Sequence, residues 1–191
     1  MNEIKHHQCR EHLGYQEQRQ VLPPYPQRMD IARQFHDLVR DILKFSLIQV
    51  IESEYRAKTD ERIALKVARR QVANREWAVC DLYGVRCLLG TANEVYLAAS
   101  AVASSFPPED RFHLRLPTIL DYNNPEVARN RFSNPSYRAV HVLVPFGNLD
   151  VPHLGEIQLM TPEQKVINDQ TRAEYERRRT LGVESSLIQP D

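Results

Sequence analysis

Apolar side chains recur along the first third of the chain with the spacing of a helix. Between residues 29 and 55 they follow alternating steps of four and three residues, which places them on one helical face. The members of this series are Ile31, Phe35, Leu38, Ile42 and Phe45. We therefore expect a long helix from Met29 to about Tyr55.

Three more helices are indicated by their first residues or by their composition. Residues 60 to about 74 follow Thr59, a suitable N-cap, and begin with two acidic side chains, which the positive end of a helix dipole favours. Residues 91–106 begin with Thr91, another N-cap, and are rich in alanine. The charged segment 162–180 predicts a final helix.

The remaining apolar segments have the alternation or the β-branched content of strands. They are residues 77–90, 112–120, 137–146 and 153–160, and the last two are close enough in sequence to form a hairpin. A long polar loop, residues 121–136, precedes that hairpin. The order of elements predicts an α+β fold, in which a mixed β-sheet is flanked by helices.

Length and charge limit the classes of function. The 191 residues suggest a polar N-terminal arm at 1–27, one folded domain at 28–182 and a short tail at 183–191. The 25 basic and 25 acidic side chains balance, which argues against a broad nucleic-acid or membrane surface. The three cysteines have no metal-binding spacing, and no apolar run could span a bilayer. We expect a cytoplasmic location, or delivery into the cytoplasm of a target cell by a specialised secretion system.

A cluster of cations surrounds the predicted second helix. Arg62, Lys66 and Arg69 share one of its faces, and Arg56 and Lys58 precede it two residues apart, so an extended segment would point both the same way. Together these side chains could converge on a polyphosphate, which needs several positive donors. A solvated basic helix face is the alternative interpretation.

The last two strands share a polar face. If their apolar residues pack inward, Tyr137, His141, Glu156 and Gln158 all project to the same side of the sheet. An aromatic ring, an imidazole, a carboxylate and an amide suit a nucleotide, whose base can stack on the ring. An amphipathic sheet with one face in water is the alternative.

Asp81 is a carboxylate within an otherwise apolar strand, between Cys80 and Leu82. Burying such a group is costly unless it is paired or binds a metal. Together with Glu156 it could hold Mg²⁺, which prefers oxygen ligands and often bridges to substrate phosphates. A salt bridge to Arg86 or to a nearby lysine is the alternative.

These segments, in this order, resemble the synthetase domain of the RelA/SpoT family of alarmone synthetases. The resemblance covers roughly residues 55–180 and rests on YRAKTDERIALKVARR, CDLYGVRCLL, DYNNPEVARNRFSNPSYRAVHVLV and GEIQLMTPEQ. It implies a nucleotidyltransferase-like fold and Mg²⁺ as cofactor. It also implies transfer of the β,γ-pyrophosphate of ATP to the ribose 3′-hydroxyl of an acceptor nucleotide, which gives AMP and a product of the (p)ppGpp or (p)ppApp type.

The resemblance assigns roles to single residues. The ATP contacts fall on Arg56, Lys58, Lys66, Arg69 and Arg86, of which Arg86 would help to sandwich adenine. Asp81 would bind the metal, and Glu156 is the catalytic glutamate beside it. Tyr137 would stack on the acceptor base, with His141 and Gln158 nearby.

The sequence departs from the family pattern mainly on the acceptor side. The loop before Tyr137 lacks the usual lysine, so Arg129 and Arg131 are the available substitutes. Arg62 and Ser136 replace a serine and a glycine, and Arg172 replaces a histidine of many relatives.

The acceptor therefore stays open among GDP or GTP, an adenosine nucleotide and a tRNA 3′ end. A toxin with a neutralising partner, a housekeeping synthetase and a catalytically silent nucleotide- or partner-binding module of the same fold also stay open. Whether the chain forms a homo-oligomer is open as well.

Overall fold

The computed structural model describes residues 22–72, 81–111, 114–124, 127, 136–146, 153–172 and 177. Four helices and seven strands lie within these ranges. The helices are α1 (Tyr25–Phe45), α2 (Asp60–Val72), α3 (Ala92–Ser104) and α4 (residues 162–172). The strands are β1 (Val50–Ala57), β2 (Asp81–Leu89), β3 (Glu109–Arg111), β4 (Leu114–Leu116), β5 (Thr118–Asp121), β6 (Val140–Phe146) and β7 (His153–Met160).

Five of the described strands form one mixed sheet in the order β1-β2-β7-β6-β5, and β3 pairs with β4 separately. Strands β2 and β7 are parallel, whereas the other neighbours in the large sheet are antiparallel. The expected α+β fold and the expected β6–β7 antiparallel pairing are therefore confirmed.

Helices α1 and α3 cover one face of this sheet. Val85, Ile157 and Val142 lie side by side across β2, β7 and β6, and all three side chains are buried on that face. The helices contribute their own buried apolar residues to the same core: Ala32, Phe35, Val39, Leu43, Val95, Ala98, Ala99 and Val102. Because strand side chains alternate, the polar residues between these positions point to the opposite face.

The long helix expected across residues 29–55 is wrong in its second half. Helix α1 ends at Phe45, and β1 follows it. Leu47 has a left-handed backbone with φ 57°, and the N–H of Ile48 donates to the carbonyl of Leu43 at 3.0 Å. This pattern closes a helix and usually has glycine at the left-handed position, so the sequence carries no signal for the stop.

The other predicted helices and strands are present where the structure describes them, although β6 begins at Val140 instead of residue 137 and β3 was not predicted. The side chain of Thr91 accepts a hydrogen bond from the N–H of Glu94 at 3.2 Å, as expected of an N-cap. The strand expected at 112–120 is divided into β4 and β5 at a cis Leu116–Pro117 peptide bond. None of the helices in the described ranges is long and apolar enough to cross a membrane.

Candidate active site

The face of the sheet opposite α1 and α3 carries a connected set of polar side chains. Glu156 and Gln158 project from β7, and His141 lies directly opposite Gln158 on β6. His141 Nδ1 is 3.1 Å from Glu156 Oε1, and the Gln158 amide donates to Glu156 Oε2 at 3.0 Å. The Tyr137 hydroxyl is 2.8 Å from His141 Nε2. The prediction that these four side chains meet on one side of the sheet is confirmed.

This polar face is largely buried. His141 and Gln158 are each 7% exposed, and the Glu156 side chain is 16% exposed. The alternative of a face turned to water is therefore wrong for these residues. Burial of polar groups is tolerated because they bond one another, and such networks fix side-chain positions.

Glu156 is held as a carboxylate. Burial raises the pKa of this carboxyl, but the favourable interactions with His141, Arg56 and Lys58 outweigh burial and hold the pKa well below its usual range. For Tyr137, burial and the nearby Glu156 both raise the pKa of the phenol, so its hydroxyl stays protonated. The site thus places a fixed negative charge among cations.

Two arginines approach this carboxylate from the side of β1 and β2. Arg56 Nη2 lies 3.5 Å from Glu156 Oε2. Arg86 contacts Gln158 Oε1 through Nε and Nη2, both at 3.4 Å, and its Nη1 lies 2.8 Å from Glu54. Glu54 is therefore the described ion-pair partner of Arg86.

The Arg56 side chain lies across the backbone of Gly84. A Cβ atom added at Gly84 would stand 3.0 Å from Arg56 Nε and 3.3 Å from its Cγ. Gly84 is also the cross-strand neighbour of both Arg56 and Glu156, on either side. The missing side chain at this position leaves the space in which the guanidinium reaches the carboxylate.

A cavity of about 270 Å³ opens next to these arginines. Three guanidinium groups, one amide and one carboxylate are among its lining side chains. Its lining residues are Glu54, Tyr55, Arg56, Gly84, Val85, Arg86, Gln158 and Arg172.

Of the two predicted phosphate-binding lysines, Lys58 directly follows β1 and Lys66 lies on α2. The N–H of Lys58 donates to the carbonyl of Leu82 at 2.9 Å, and the charge of Lys58 contributes to the low pKa of Glu156. Lys66 is half-buried on α2. Helix α2 is fixed to α1 by buried Arg28, whose Nη2 lies 2.6 Å from Asp60.

Some predicted site residues lie outside what the structure describes. Arg129 and Arg131 fall in an undescribed range, and the side chains of Arg69 and Asp81 are not described. The backbone of Asp81 pairs with Leu154, at the start of β2. Whether its carboxylate meets Glu156 stays a prediction. Among the described residues, no group of three His, Cys, Asp or Glu side chains could by itself hold a metal.

The structure adds three residues to this region that the sequence did not assign to the site. The Tyr122 ring lies 4.7 Å from the His141 ring and 5.6 Å from the Tyr137 ring, centroid to centroid. Glu54 and Arg172 line the cavity. Tyr122 lies in a segment interpreted as loop, and nothing in its spacing marked it. Of these three residues, only Arg172 was noted in the sequence, because it replaces a histidine of many relatives.

Sequence comparison alone does not assign the chain to a family. No protein-family model matches it, and a search of curated proteins finds no match.

Solved structures, in contrast, share its architecture. A GTP pyrophosphokinase family protein from Streptococcus pneumoniae is 21% identical, with a TM-score of 0.54 over 89% of this chain and 87% of that chain. Small alarmone synthetase 2 from Bacillus subtilis is 17% identical, with a TM-score of 0.53 over 84% and 86%. Small alarmone synthetase 1 from Bacillus subtilis, bound to its product pppGpp, is 15% identical, with a TM-score of 0.51 over 90% and 89%. The chain thus has the fold of the small alarmone synthetases.

Proposed function

We propose that this protein transfers the β,γ-pyrophosphate of ATP to the ribose 3′-hydroxyl of a purine nucleotide. The products are AMP and a (p)ppGpp- or (p)ppApp-type nucleotide. The observation that carries the proposal is the buried Glu156 carboxylate, kept ionised where Arg56 and His141 converge. The fold shared with a GTP pyrophosphokinase family protein and with small alarmone synthetases supports the same reaction class.

The cations bind the donor. Arg56, Lys58, Lys66 and Arg69 neutralise the triphosphate and the charge that develops during transfer. Arg86, at the wall of the cavity, stacks on the adenine ring, a contact that the planar guanidinium favours. On the paired strands β2 and β7, Arg86 is opposite Gln158, and Gly84 is opposite Glu156. The donor base beside Arg86 would therefore lie two residues along the strands from Glu156.

Glu156 supplies the type of oxygen ligand that Mg²⁺ prefers, which supports Mg²⁺ as the proposed cofactor. Glu156 is the carboxylate at the centre of the described network, and Mg²⁺ commonly binds proteins through one or two carboxylates plus substrate phosphates. Asp81, on the neighbouring strand, is the second proposed ligand. The bound ion would neutralise phosphate charge and lower the pKa of the attacking hydroxyl. Glu156 itself orients that hydroxyl or accepts its proton.

The acceptor occupies the side of Tyr137. The phenol ring carries the acceptor base, so that the 3′-hydroxyl lies in line with the β-phosphorus, a positioning effect. Arg129 and Arg131 bind its phosphates. His141 and Gln158, also proposed near the acceptor, have a further task, because their bonds to Glu156 fix the direction of that carboxylate. Since one structural neighbour carries pppGpp as its product, GDP or GTP is the first acceptor to test.

The test is a product survey. The purified protein is incubated with Mg-ATP and one of GTP, GDP, ADP or AMP, and products are identified by mass. We expect AMP together with one acceptor that has gained a pyrophosphate, and Glu156→Gln, which keeps the side-chain shape, should lose this product. If folded wild-type protein releases no AMP with any acceptor, the proposal is wrong and a binding module remains. An adenosine acceptor would favour a toxin, and growth arrest on expression would be the next check.

A further inference from the structure

Arg172 brings a third guanidinium to the cavity beside Gln158. It reaches the cavity from α4, whereas Arg56 and Arg86 reach it from β1 and β2. Three structural elements therefore converge on one space of about 270 Å³. This residue is part of neither the phosphate cluster nor the Glu156 network described above.

The acidic side chains near the cavity are already bonded to protein cations, among them Glu156, which lies 3.5 Å from Arg56. The cavity lining includes three arginines but a single carboxylate, Glu54, which is paired to Arg86 at 2.8 Å. The nearest acid on α4, Asp169, binds Lys165 at 2.8 Å, and the pKa of Asp169 is lowered mainly by that lysine, with smaller effects of Arg86 and Arg172. A guanidinium group bonded at its edge still presents a flat face, on which an aromatic ring can pack.

The dimensions favour a base over a whole nucleotide. Ligand pockets commonly measure roughly 300–1,000 Å³, so this cavity is at the small end. Gln158 offers both an amide donor and an amide oxygen, which suit the edge of a heterocycle. Arg56 and Gly84 line the end of the same cavity. They share a cross-strand row with Glu156, about 7 Å along the strands from Arg86 and Gln158, and a triphosphate would continue in that direction.

We propose that Arg172 binds the purine ring of the donor nucleotide, as a third arginine of the base site beside Arg86. This inference rests on the proposed function, because it takes ATP as the donor. The planar guanidinium packs on the aromatic ring, a contact that combines cation–π attraction with stacking. Arg172 therefore sets the affinity for ATP and has no part in binding the acceptor.

The experiment measures binding and kinetics separately. Isothermal titration of ATP with Mg²⁺ is carried out on the wild type, Arg172→Ala and Arg172→Lys. We expect Arg172→Ala to weaken ATP binding about tenfold, the loss of one cation–π contact. Arg172→Lys should lose more than half as much binding free energy as Arg172→Ala, because lysine keeps the positive charge but lacks the planar guanidinium group. The KM for the acceptor should stay at the wild-type value.

A matched control lies on α1. Arg33 is an exposed arginine paired with Asp30 at 3.2 Å, and it does not line the cavity, so Arg33→Ala should bind ATP as the wild type does. The inference is overturned if Arg172→Ala binds ATP like the wild type, or if it raises the KM values of ATP and acceptor equally. A wild type that binds no ATP would instead contradict the proposed function itself. Arg172→Lys keeps the test decisive if the alanine variant does not fold.

Discussion

Gly155 is a position at which α1 packs tightly against β7, the strand that carries Glu156. The residue lies on β7, one position before Glu156, and a side chain at this position would point to the core face. A Cβ atom placed there would stand 2.2, 2.6 and 2.8 Å from three ring atoms of Phe35. The optimal separation of non-bonded carbon atoms is about 3.5–4.0 Å, so the shortest contact is more than 1 Å too close.

The Phe35 ring has little freedom to move away. It is 0% exposed and packs against Phe146 with ring centroids 4.4 Å apart. Overpacking a core typically costs about 1–3 kcal/mol. Because three ring atoms are involved, we expect Gly155→Ala to lower the free energy of unfolding by about 3 kcal/mol, at the upper end of this range. For a chain of this length, that corresponds to a fall in Tm of about 6–12 °C.

Thermal and urea unfolding followed by circular dichroism measure this loss. Gly90→Ala is the matched control, because a Cβ there would meet only the end of the flexible Glu94 side chain, at 2.9 Å. That variant should unfold within about 0.5 kcal/mol of the wild type. In a double-mutant cycle, Phe35→Leu should relieve part of the Gly155→Ala penalty. A loss below about 1 kcal/mol for Gly155→Ala would refute the reasoning, since the helix would then adjust freely.

Three further predictions concern the site. Tyr137→Ala should raise the KM of the acceptor at least about tenfold and leave that of ATP unchanged, whereas Tyr137→Phe should keep the acceptor KM, because stacking needs only the ring. Gly84→Ala should raise the KM of ATP several-fold in steady-state assays, because its methyl group displaces Arg56, while Tm stays near the wild-type value. Glu156→Gln should be less stable than the wild type at pH 7. The pKa of Glu156 is depressed in the folded state, so this difference in urea unfolding should shrink as the pH falls below about 4.3, the pKa of an unfolded glutamate. A difference that grows toward acid pH would contradict the assigned charge state.

The alternation of the last two strands was enough to predict which side chains share a face. Since successive residues point to opposite sides, the apolar positions around Ile157 and Val142 placed Glu156 and His141 together before any distance was known. Alternation could not predict that this polar face is buried. Whether that face is covered depends on residues distant in sequence, such as Arg86 and Tyr122, that pack around it.

The sequence failed where a local signal was absent. Strand β1 was assigned to a helix because α1 stops at a left-handed leucine, Leu47, instead of the usual glycine. Strand β1 lies at the edge of the sheet, and buried and exposed residues do not alternate along it. The period of two that identifies a strand in a sequence is therefore missing. The cavity wall formed by Glu54, Arg86 and Arg172 joins three distant segments, which only the fold brings together.

Isotopic labelling of ATP tests the central claim most directly. The protein is given Mg²⁺, the acceptor found in the product survey, and ATP labelled at either its α- or its β-phosphate. Transfer of the β,γ-pyrophosphate predicts that the β-label moves to the acceptor and that the α-label remains in AMP. If the α-label moves to the acceptor, or if ADP and phosphate are the only products, the site performs another reaction and the assignment of Glu156 to pyrophosphate transfer is contradicted.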